Sequence, residues 1–106
     1  MNHALNYGHL RYFWAVAHAG SLTKAASELR VSQSAISVQV QQLEAQLGTK
    51  LFERRGRRLI LTEAGSIALD YADEIFRTGE ELSAILQHHS FARSVLRLGA
   101  LATLSR

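Results

Sequence analysis

Three short amphipathic segments follow one another in the first 48 residues, and the residues between them can end one helix and begin the next. Apolar residues recur in the first segment at the spacing of a single helix face: Leu10, Phe13, Trp14 and Ala17. This pattern predicts helix 1 over about residues 8–19. Gly20 can end that helix in the left-handed conformation, and Ser21 can cap helix 2 over about residues 22–29.

The third segment begins after Ser32, another candidate helix cap, and ends near Gly48. Its apolar stripe consists of Ala35, Ile36, Val40, Leu43 and Leu47. The tight ELRVS connection favours a helix-turn-helix formed by helices 2 and 3, because the small residues Ala25 and Ala26 let the two backbones approach. Periodicity alone leaves any three-helix bundle as an equal alternative.

A basic hairpin is predicted directly after the third helix. Short apolar runs at residues 51–52 and 59–61 flank the string RRGR, in which Gly56 provides the freedom for a turn. A helix-turn-helix followed by such a hairpin is a winged arrangement. The hairpin string KLFERRGRR holds five basic residues and one acid, and a cluster of this kind commonly attracts polyanions.

Positive charge is concentrated in the N-terminal part of a chain whose formal net charge is +3. Residues 1–62 hold eight basic and three acidic residues, whereas residues 63–106 hold four basic and six acidic ones. The absence of cysteine excludes disulfides and thiolate metal sites. No apolar run approaches the roughly 18 residues of a membrane span, and the N-terminus lacks the pattern of a secretory signal. We therefore expect a cytoplasmic protein that has no membrane partner.

A long fourth helix is predicted from the cap residues Thr62 and Glu63 to about His88. At about 1.5 Å per residue it would span roughly 40 Å, which is more than a small domain can cover. Part of its apolar stripe therefore needs a partner. The acidic side chains of this segment are expected on its outer, solvated face: Asp70, Asp73, Glu74, Glu80 and Glu81.

The order of these features resembles the N-terminal DNA-binding region of LysR-type transcriptional regulators. The resemblance rests on LRYFWAVAHAGSLTKAASELRVSQSAISVQVQQLEAQLGTKLFERRGRRLILTEAG and on the long helix behind it. NYGHLRYFW, YADEIF and GALATLSR are further similar to the sodium-responsive regulators of sodium/proton antiporter genes within that family.

The resemblance implies a mainly α fold in three parts. Residues 1–62 would form a winged helix-turn-helix DNA-binding domain, with three helices and a two-stranded wing. Residues 63–90 would form a linker and dimerisation helix. Residues 91–106 would be a hinge and the first strand of an effector-binding domain, and a small-molecule or ion effector would act only through that domain.

The first turns of helix 3 would enter the major groove of double-stranded DNA, where base edges present distinct donors and acceptors. The predicted base contacts are Gln33, Ser34, Ser37 and Val38. Between Arg30 and the end of this segment only Glu44 is charged, so its amides and hydroxyls can bond to bases without attraction to every phosphate. The family often has proline in place of Ser34 and a basic residue in place of Val38. A solvated polar face is the alternative interpretation.

Contacts to the DNA backbone are predicted from the start of helix 2, where the positive end of the helix dipole favours phosphate, and from two residues at the cap and in the body of helix 3. These residues are Ser21, Thr23, Lys24, Ser32 and Gln39. The wing would approach the adjacent minor groove or its phosphates with Arg54, Arg55, Arg57 and Arg58, for which a solvated loop is the alternative. Phe13, Trp14 and Phe52 are expected in the core, not as stacking platforms.

The long helix would pair with its copy in a homodimer, or a tetramer in the full-length protein, and a dimer implies a pseudo-palindromic DNA site. The predicted dimerisation residues are Leu69, Ala72, Ile75, Phe76, Leu82 and Leu86. We expect no metal, no cofactor and no enzymatic activity, since no catalytic set or glycine-rich phosphate loop is present. Two alternatives remain: a protein-interaction module that uses the long helix, and an architectural DNA binder without sequence preference.

Overall fold

The computed structural model describes residues 5–104, with side chains described for residues 5–89 and for Arg93 and Leu96. Its elements, in chain order, are α1 (Tyr7–Ala19), α2 (Leu22–Leu29), α3 (Gln33–Leu47), β1 (Phe52–Arg55), β2 (Arg58–Leu61) and α4 (Glu63–Leu104). The predicted fold class, a winged helix-turn-helix followed by a long helix, is confirmed. The chain forms two compact units, Met1–Asp73 and Glu74–Arg106, so the first turns of α4 belong to the first unit.

Side-chain caps begin each of the first three helices. Asn6 accepts a hydrogen bond from the His9 amide at 2.9 Å. Ser21 accepts one from the Lys24 amide at 3.1 Å, and Ser32 accepts one from the Ala35 amide at 3.1 Å. These bonds satisfy amides that have no partner within the first turn of a helix, and the two serine caps are as predicted.

All three helices also end in the left-handed conformation. Gly20 and Gly48 end α1 and α3 with φ of 84° and 73°. At the end of α2 the same position is held by Arg30, with φ of 58°, the only non-glycine residue with positive φ in the described chain. Because a side chain is disfavoured there, the turn between α2 and α3 carries a small conformational cost.

The core of the first unit lies between α1 and α3, closed by α2, the start of the wing and the start of α4. Its fully buried side chains include Phe13, Ile36, Leu43, Leu51 and Val16. The ring of Phe13 packs against that of Phe52, with 5.3 Å between centroids, and so ties α1 to β1. Phe13 is in the core as predicted.

A buried carboxylate joins α3 to the wing. Glu44 is only 8% exposed, and its Oε2 accepts hydrogen bonds from the Leu51 amide at 2.8 Å and the Phe52 amide at 3.3 Å. Its backbone carbonyl accepts the amides of Gly48 and Thr49 at the end of the helix. Lys50 lies 3.8 Å from the other carboxylate oxygen. One residue thus secures both ends of the segment that connects α3 to β1.

The wing is an antiparallel pair of four-residue strands, as predicted. Phe52 pairs with Leu61, and Arg55 pairs with Arg58 beside the turn. Gly56 occupies that turn with φ of 62°, a value that glycine adopts without strain.

α4 starts in close contact with the segment before the wing. The Thr62 amide donates to the Leu51 carbonyl at 3.0 Å, and the Thr62 hydroxyl donates to the Lys50 carbonyl at 2.7 Å. The same hydroxyl oxygen accepts the Gly65 amide at 2.9 Å. A Cβ placed on Gly65 would lie 2.0 Å from the Leu51 carbonyl oxygen, so only glycine allows this approach.

α4 continues far beyond its predicted end near residues 88–90. Residues 91–104 are helical, so the predicted hinge and first strand are wrong up to Leu104, and Ser105 and Arg106 lie outside the described residues. The segment has no proline, and its alanines and leucines favour helix. A strand needs a hydrogen-bonded neighbour, and within the described residues the one sheet is the two-stranded wing. The backbone therefore satisfies its hydrogen bonds within the helix.

We expect Gly65→Ala to destabilise the first unit by about 2–3 kcal/mol, because the new methyl group would collide with backbone that cannot rotate away. Urea unfolding followed by circular dichroism measures this loss. Gly79→Ala is the matched control, since nothing lies within 4 Å of a Cβ at that position of the same helix. It should stabilise the helix by up to about 1 kcal/mol, and equal effects of the two changes would contradict the close approach at Gly65.

We expect Glu44→Gln to lower the free energy of unfolding by about 1–3 kcal/mol, because a neutral amide accepts the two buried amide hydrogens less strongly than a carboxylate. Glu53→Gln makes the same chemical change at an exposed residue that pairs with Arg55 at 3.3 Å. It should cost under about 0.5 kcal/mol. Denaturation midpoints of the two variants measure the difference. Equal midpoints would contradict the role of Glu44.

Candidate nucleic-acid interface

The first turns of α3 present a polar, solvent-exposed face. Gln33, Ser34 and Val38 are exposed, and Ser37 is half-buried. At about 100° per residue these four positions fall within one side of the helix. The structure therefore brings all four predicted base contacts to a single face.

The serines on this face form part of the helix cap. The Ser32 and Ser34 hydroxyl oxygens lie 3.2 Å apart, and Ser32 already accepts the Ala35 amide. The predicted backbone contact Gln39 lies about 140° around the helix from Ser34 and is half-buried beside the apolar stripe. Helical periodicity places Gln39 away from the polar face, and its contact to the DNA backbone stays a prediction.

The starts of α2 and α3 meet through one side-chain hydrogen bond. Gln33 Nε2 donates to the hydroxyl oxygen of Thr23 at 3.2 Å, and both side chains are exposed. Lys24 is exposed in the same first turn of α2. The predicted base contact Gln33 and the predicted phosphate contact Thr23 are therefore direct neighbours.

The wing completes a cleft beside this pair. One wall of the cleft is formed by residues 20–23 and Gln33, and the other is lined by Arg54, Arg57, Arg58, Leu59 and Ile60. Within the described residues, no carboxylate lies within ion-pair distance of these three arginines. The remaining wing arginine, Arg55, pairs instead with Glu53 at 3.3 Å and does not line the cleft.

A second, more apolar groove separates α3 from the wing. Its lining includes the apolar residues Val16, Leu22, Val40, Phe52 and Leu59. Ser37 and Gln41, one turn apart on α3, also line this groove. Gln41 is exposed and continues the series that begins at Gln33 and Ser37, although it was not among the predicted contacts. The i, i+4 spacing was the signal that could have found it.

One of the acidic residues expected in solvent, Asp73, is exposed as predicted and is also bound to α1. Asp73 Oδ1 accepts a hydrogen bond from the indole nitrogen of Trp14 at 2.7 Å, and His18 Nε2 lies 2.5 Å from the same oxygen. The Trp14 ring, expected in the core, is only half-buried and packs edge-on against His18. Asp73 therefore links the start of α4 to α1 through this hydrogen bond.

The predicted dimerisation residues divide into three groups by exposure. Ala72 is fully buried in the first unit, so it is unavailable to a partner and that prediction is wrong. Leu69, Ile75 and Phe76 are half-buried. Leu82 and Leu86 are 57% and 54% exposed, and the neighbouring Ile85 is 64% exposed. Large apolar side chains of α4 thus face solvent in the second unit.

Neither a membrane-spanning helix nor a metal-binding cluster occurs in the described part of the chain. No helix there combines the length and the apolar character needed to cross a lipid bilayer. Histidine, aspartate and glutamate side chains nowhere gather there in threes around a position that could hold a metal ion.

The sequence of this fold matches a known protein family. Residues 7–66 match the family described as "Bacterial regulatory helix-turn-helix protein, lysR family". The chain belongs to the LysR family. This match confirms the resemblance that the sequence suggested. The matched residues cover the three helices, the wing and the start of α4.

Two curated relatives illustrate the similarity. The RuBisCO operon transcriptional regulator of Allochromatium vinosum is 41% identical over 97 residues, which are 91% of this chain and 32% of that protein. The transcriptional activator protein NhaR of Escherichia coli (strain K12) is 36% identical over 106 residues, which are 100% of this chain and 35% of that protein. Both are named as regulators, in agreement with the prediction that the chain is not an enzyme. The chain spans about a third of the length of these relatives.

Solved structures of two DNA-binding domains in complex with DNA also match. The BenM domain on the catB site 1 DNA is 34% identical, with a TM-score of 0.76 over 80% of this chain and 96% of that chain. The CbnR domain in its DNA complex is 43% identical, with a TM-score of 0.65 over 74% of this chain and 95% of that chain. The LysR fold of this chain is thus that of domains crystallised with DNA.

We expect the double substitution Arg57→Ala, Arg58→Ala to lower the salt dependence of DNA binding. If the cleft arginines neutralise two phosphates, the slope of log affinity against log salt should fall by about 1.8, at about 0.9 per phosphate. Arg55→Ala is the matched control, since this arginine is paired with Glu53 and lies outside the cleft. Titrations of one duplex at several salt concentrations measure the slopes, and an unchanged slope in the double variant would contradict the assignment.

Proposed function

We propose that this LysR-family chain binds double-stranded DNA with sequence preference and is the DNA-reading part of a transcriptional regulator. One observation carries the proposal. Within the first unit, an exposed and uncharged face of α3 lies next to a cleft that holds three arginines without a carboxylate partner. Phosphate attraction and base readout need these two kinds of surface side by side.

The polar face of α3 suits the major groove. That groove is about 12 Å wide and admits a helix, and each base pair presents there its own pattern of donors and acceptors. Gln33 and Ser34 provide donors and acceptors at the start of the helix, and Val38 provides an apolar surface for a thymine methyl group. The absence of charge on these residues limits attraction to phosphates that carry no sequence information.

The cleft and the wing supply the contacts to the DNA backbone. Ser21, Thr23 and Lys24 lie in the first turn of α2, where free amides and the helix dipole favour phosphate. Arg54, Arg57 and Arg58 face Ser21 and Thr23 across the cleft, where they would contact the same strand or the adjacent minor groove. Arg55, held by Glu53, contributes less.

We further propose that the chain acts as a homodimer. Leu82, Ile85 and Leu86 place large apolar side chains in solvent along α4, an exposure that pairing with a second copy would relieve. Two DNA-reading units related by two-fold symmetry would recognise a pseudo-palindromic site. A tetramer is the alternative in a longer protein. A cytoplasmic location, and an effector that acts through a further domain, belong to the same proposal.

Selection of bound sequences from a randomised duplex pool at physiological salt tests this function. We expect a pseudo-palindromic winner that binds about 10³-fold or more tightly than its scrambled version, because base contacts add to the phosphate contacts only on the right sequence. Gln33→Ala should reduce the preference at one position of each half-site and leave affinity for scrambled DNA nearly unchanged.

Two other outcomes would each contradict the proposal. Equal affinity for the winner and the scrambled duplex would indicate an architectural binder that uses only the arginine cleft. No affinity for either duplex would leave the exposed apolar face of α4 as the functional surface and point to a protein-interaction module. Sedimentation of the free and DNA-bound protein would establish the copy number in each case.

A further inference from the structure

The hydrogen bond between Gln33 and Thr23 restricts what the glutamine amide can offer to a base. A free glutamine amide has two N–H donors and one oxygen acceptor, and the whole group can turn over. In the structure one of these N–H groups donates to the Thr23 hydroxyl oxygen at 3.2 Å. The amide oxygen and the second N–H are left for a ligand, and they form one acceptor beside one donor.

This remaining pattern fits adenine and opposes guanine. In the major groove adenine presents the N7 acceptor beside the N6 donor, which matches one donor and one acceptor. Guanine presents two acceptors, N7 and O6. Guanine would therefore place its O6 against the amide oxygen of Gln33, since the second N–H that could have met it is engaged by Thr23.

Bound DNA would fix the same orientation. Thr23 lines the arginine cleft together with Arg54, Arg57 and Arg58, where the proposed function puts a phosphate. A phosphate oxygen only accepts hydrogen bonds, so the Thr23 hydroxyl has to donate to it. The hydroxyl oxygen then has only lone pairs to offer Gln33, and the amide must approach it through Nε2, as it does in the structure.

We propose that Thr23 is a positioning residue that sets the orientation of the Gln33 amide and thereby makes this protein prefer adenine over guanine at one position of its site. The inference rests on the proposed function and goes beyond it, because it assigns base choice to a residue of α2 that touches no base. It also links a phosphate contact to base identity through a single hydroxyl.

The test compares Thr23→Val, which keeps the branched shape and removes the hydroxyl, with Thr23→Ser, which keeps the hydroxyl. Binding is measured by fluorescence anisotropy on the selected duplex and on versions with each base pair at the position whose preference Gln33→Ala removes. The unaltered protein should prefer adenine over guanine by about 10-fold or more, in line with the discrimination of a bidentate contact. Thr23→Ser should keep that ratio.

Thr23→Val should reduce the ratio to about threefold or less, because the freed amide can turn and offer both N–H groups to guanine. It should also weaken binding to every duplex to a similar extent, through loss of the phosphate contact. A merely structural role of Thr23 would produce the uniform loss without any change in the ratio, so the ratio is the deciding measurement.

Three results would overturn the inference while leaving sequence-selective binding intact. They are a full adenine preference in Thr23→Val, a preference of the unaltered protein for guanine at this position, and a Gln33→Ala variant that loses preference nowhere. Failure of the proposed function itself is distinguishable, since the unaltered protein would then discriminate at no position of any duplex.

Discussion

The buried carboxylate of Glu44 holds the two halves of the candidate interface in one arrangement. It lies on the helix that carries the polar face, and it binds the amides of Leu51 and Phe52, which begin the wing. These amides are buried or partly buried, so without an acceptor each would cost free energy comparable to a lost hydrogen bond. The position of the arginine cleft relative to α3 therefore depends on a residue that would itself touch no DNA.

The interface separates two tasks that a charged recognition helix would combine. The exposed residues at the start of α3 are neutral, whereas the arginines are confined to the wing across the cleft. Charge on the wing provides attraction that every DNA sequence shares, and amides and hydroxyls on the helix provide the difference between sequences. In a protein with a net charge of only +3, this arrangement puts the positive potential where phosphates would lie and keeps it off the base-reading face.

Local patterns were enough to predict most of the fold. The caps Ser21 and Ser32, the stops Gly20 and Gly48 and the wing all depend on residues close together in sequence, and each is found where it was expected. Contacts between distant residues were not predictable in this way. Two examples are the close approach of Gly65 to the Leu51 carbonyl and the hydrogen bond from Trp14 to Asp73. No periodic pattern in the sequence indicates them, because each depends on how α4 packs against the earlier elements.

The errors have two different causes. Ala72 and Asp73 were assigned by their place on an isolated helix, but Ala72 is fully buried in the first unit, and the exposed Asp73 accepts the indole N–H of Trp14. The strand expected after residue 90 was carried over from the family, whereas the described backbone satisfies its hydrogen bonds within α4. The candidate site was predicted residue by residue, and the pairing of Gln33 with Thr23 became visible only once two helix starts had met.

The hydrogen bond from Trp14 to Asp73 also gives this protein an intrinsic fluorescent probe of its fold. Trp14 is the only tryptophan of the chain, and its indole sits where α1 meets the first turns of α4, edge-on to His18. Tryptophan fluorescence, excited at wavelengths that the three tyrosines do not absorb, therefore senses that junction alone, whereas the far-ultraviolet circular dichroism signal averages over every helix. The release of α4 from α1 and the melting of the helices can thus be followed as two separate optical signals in the same sample, without attaching any label.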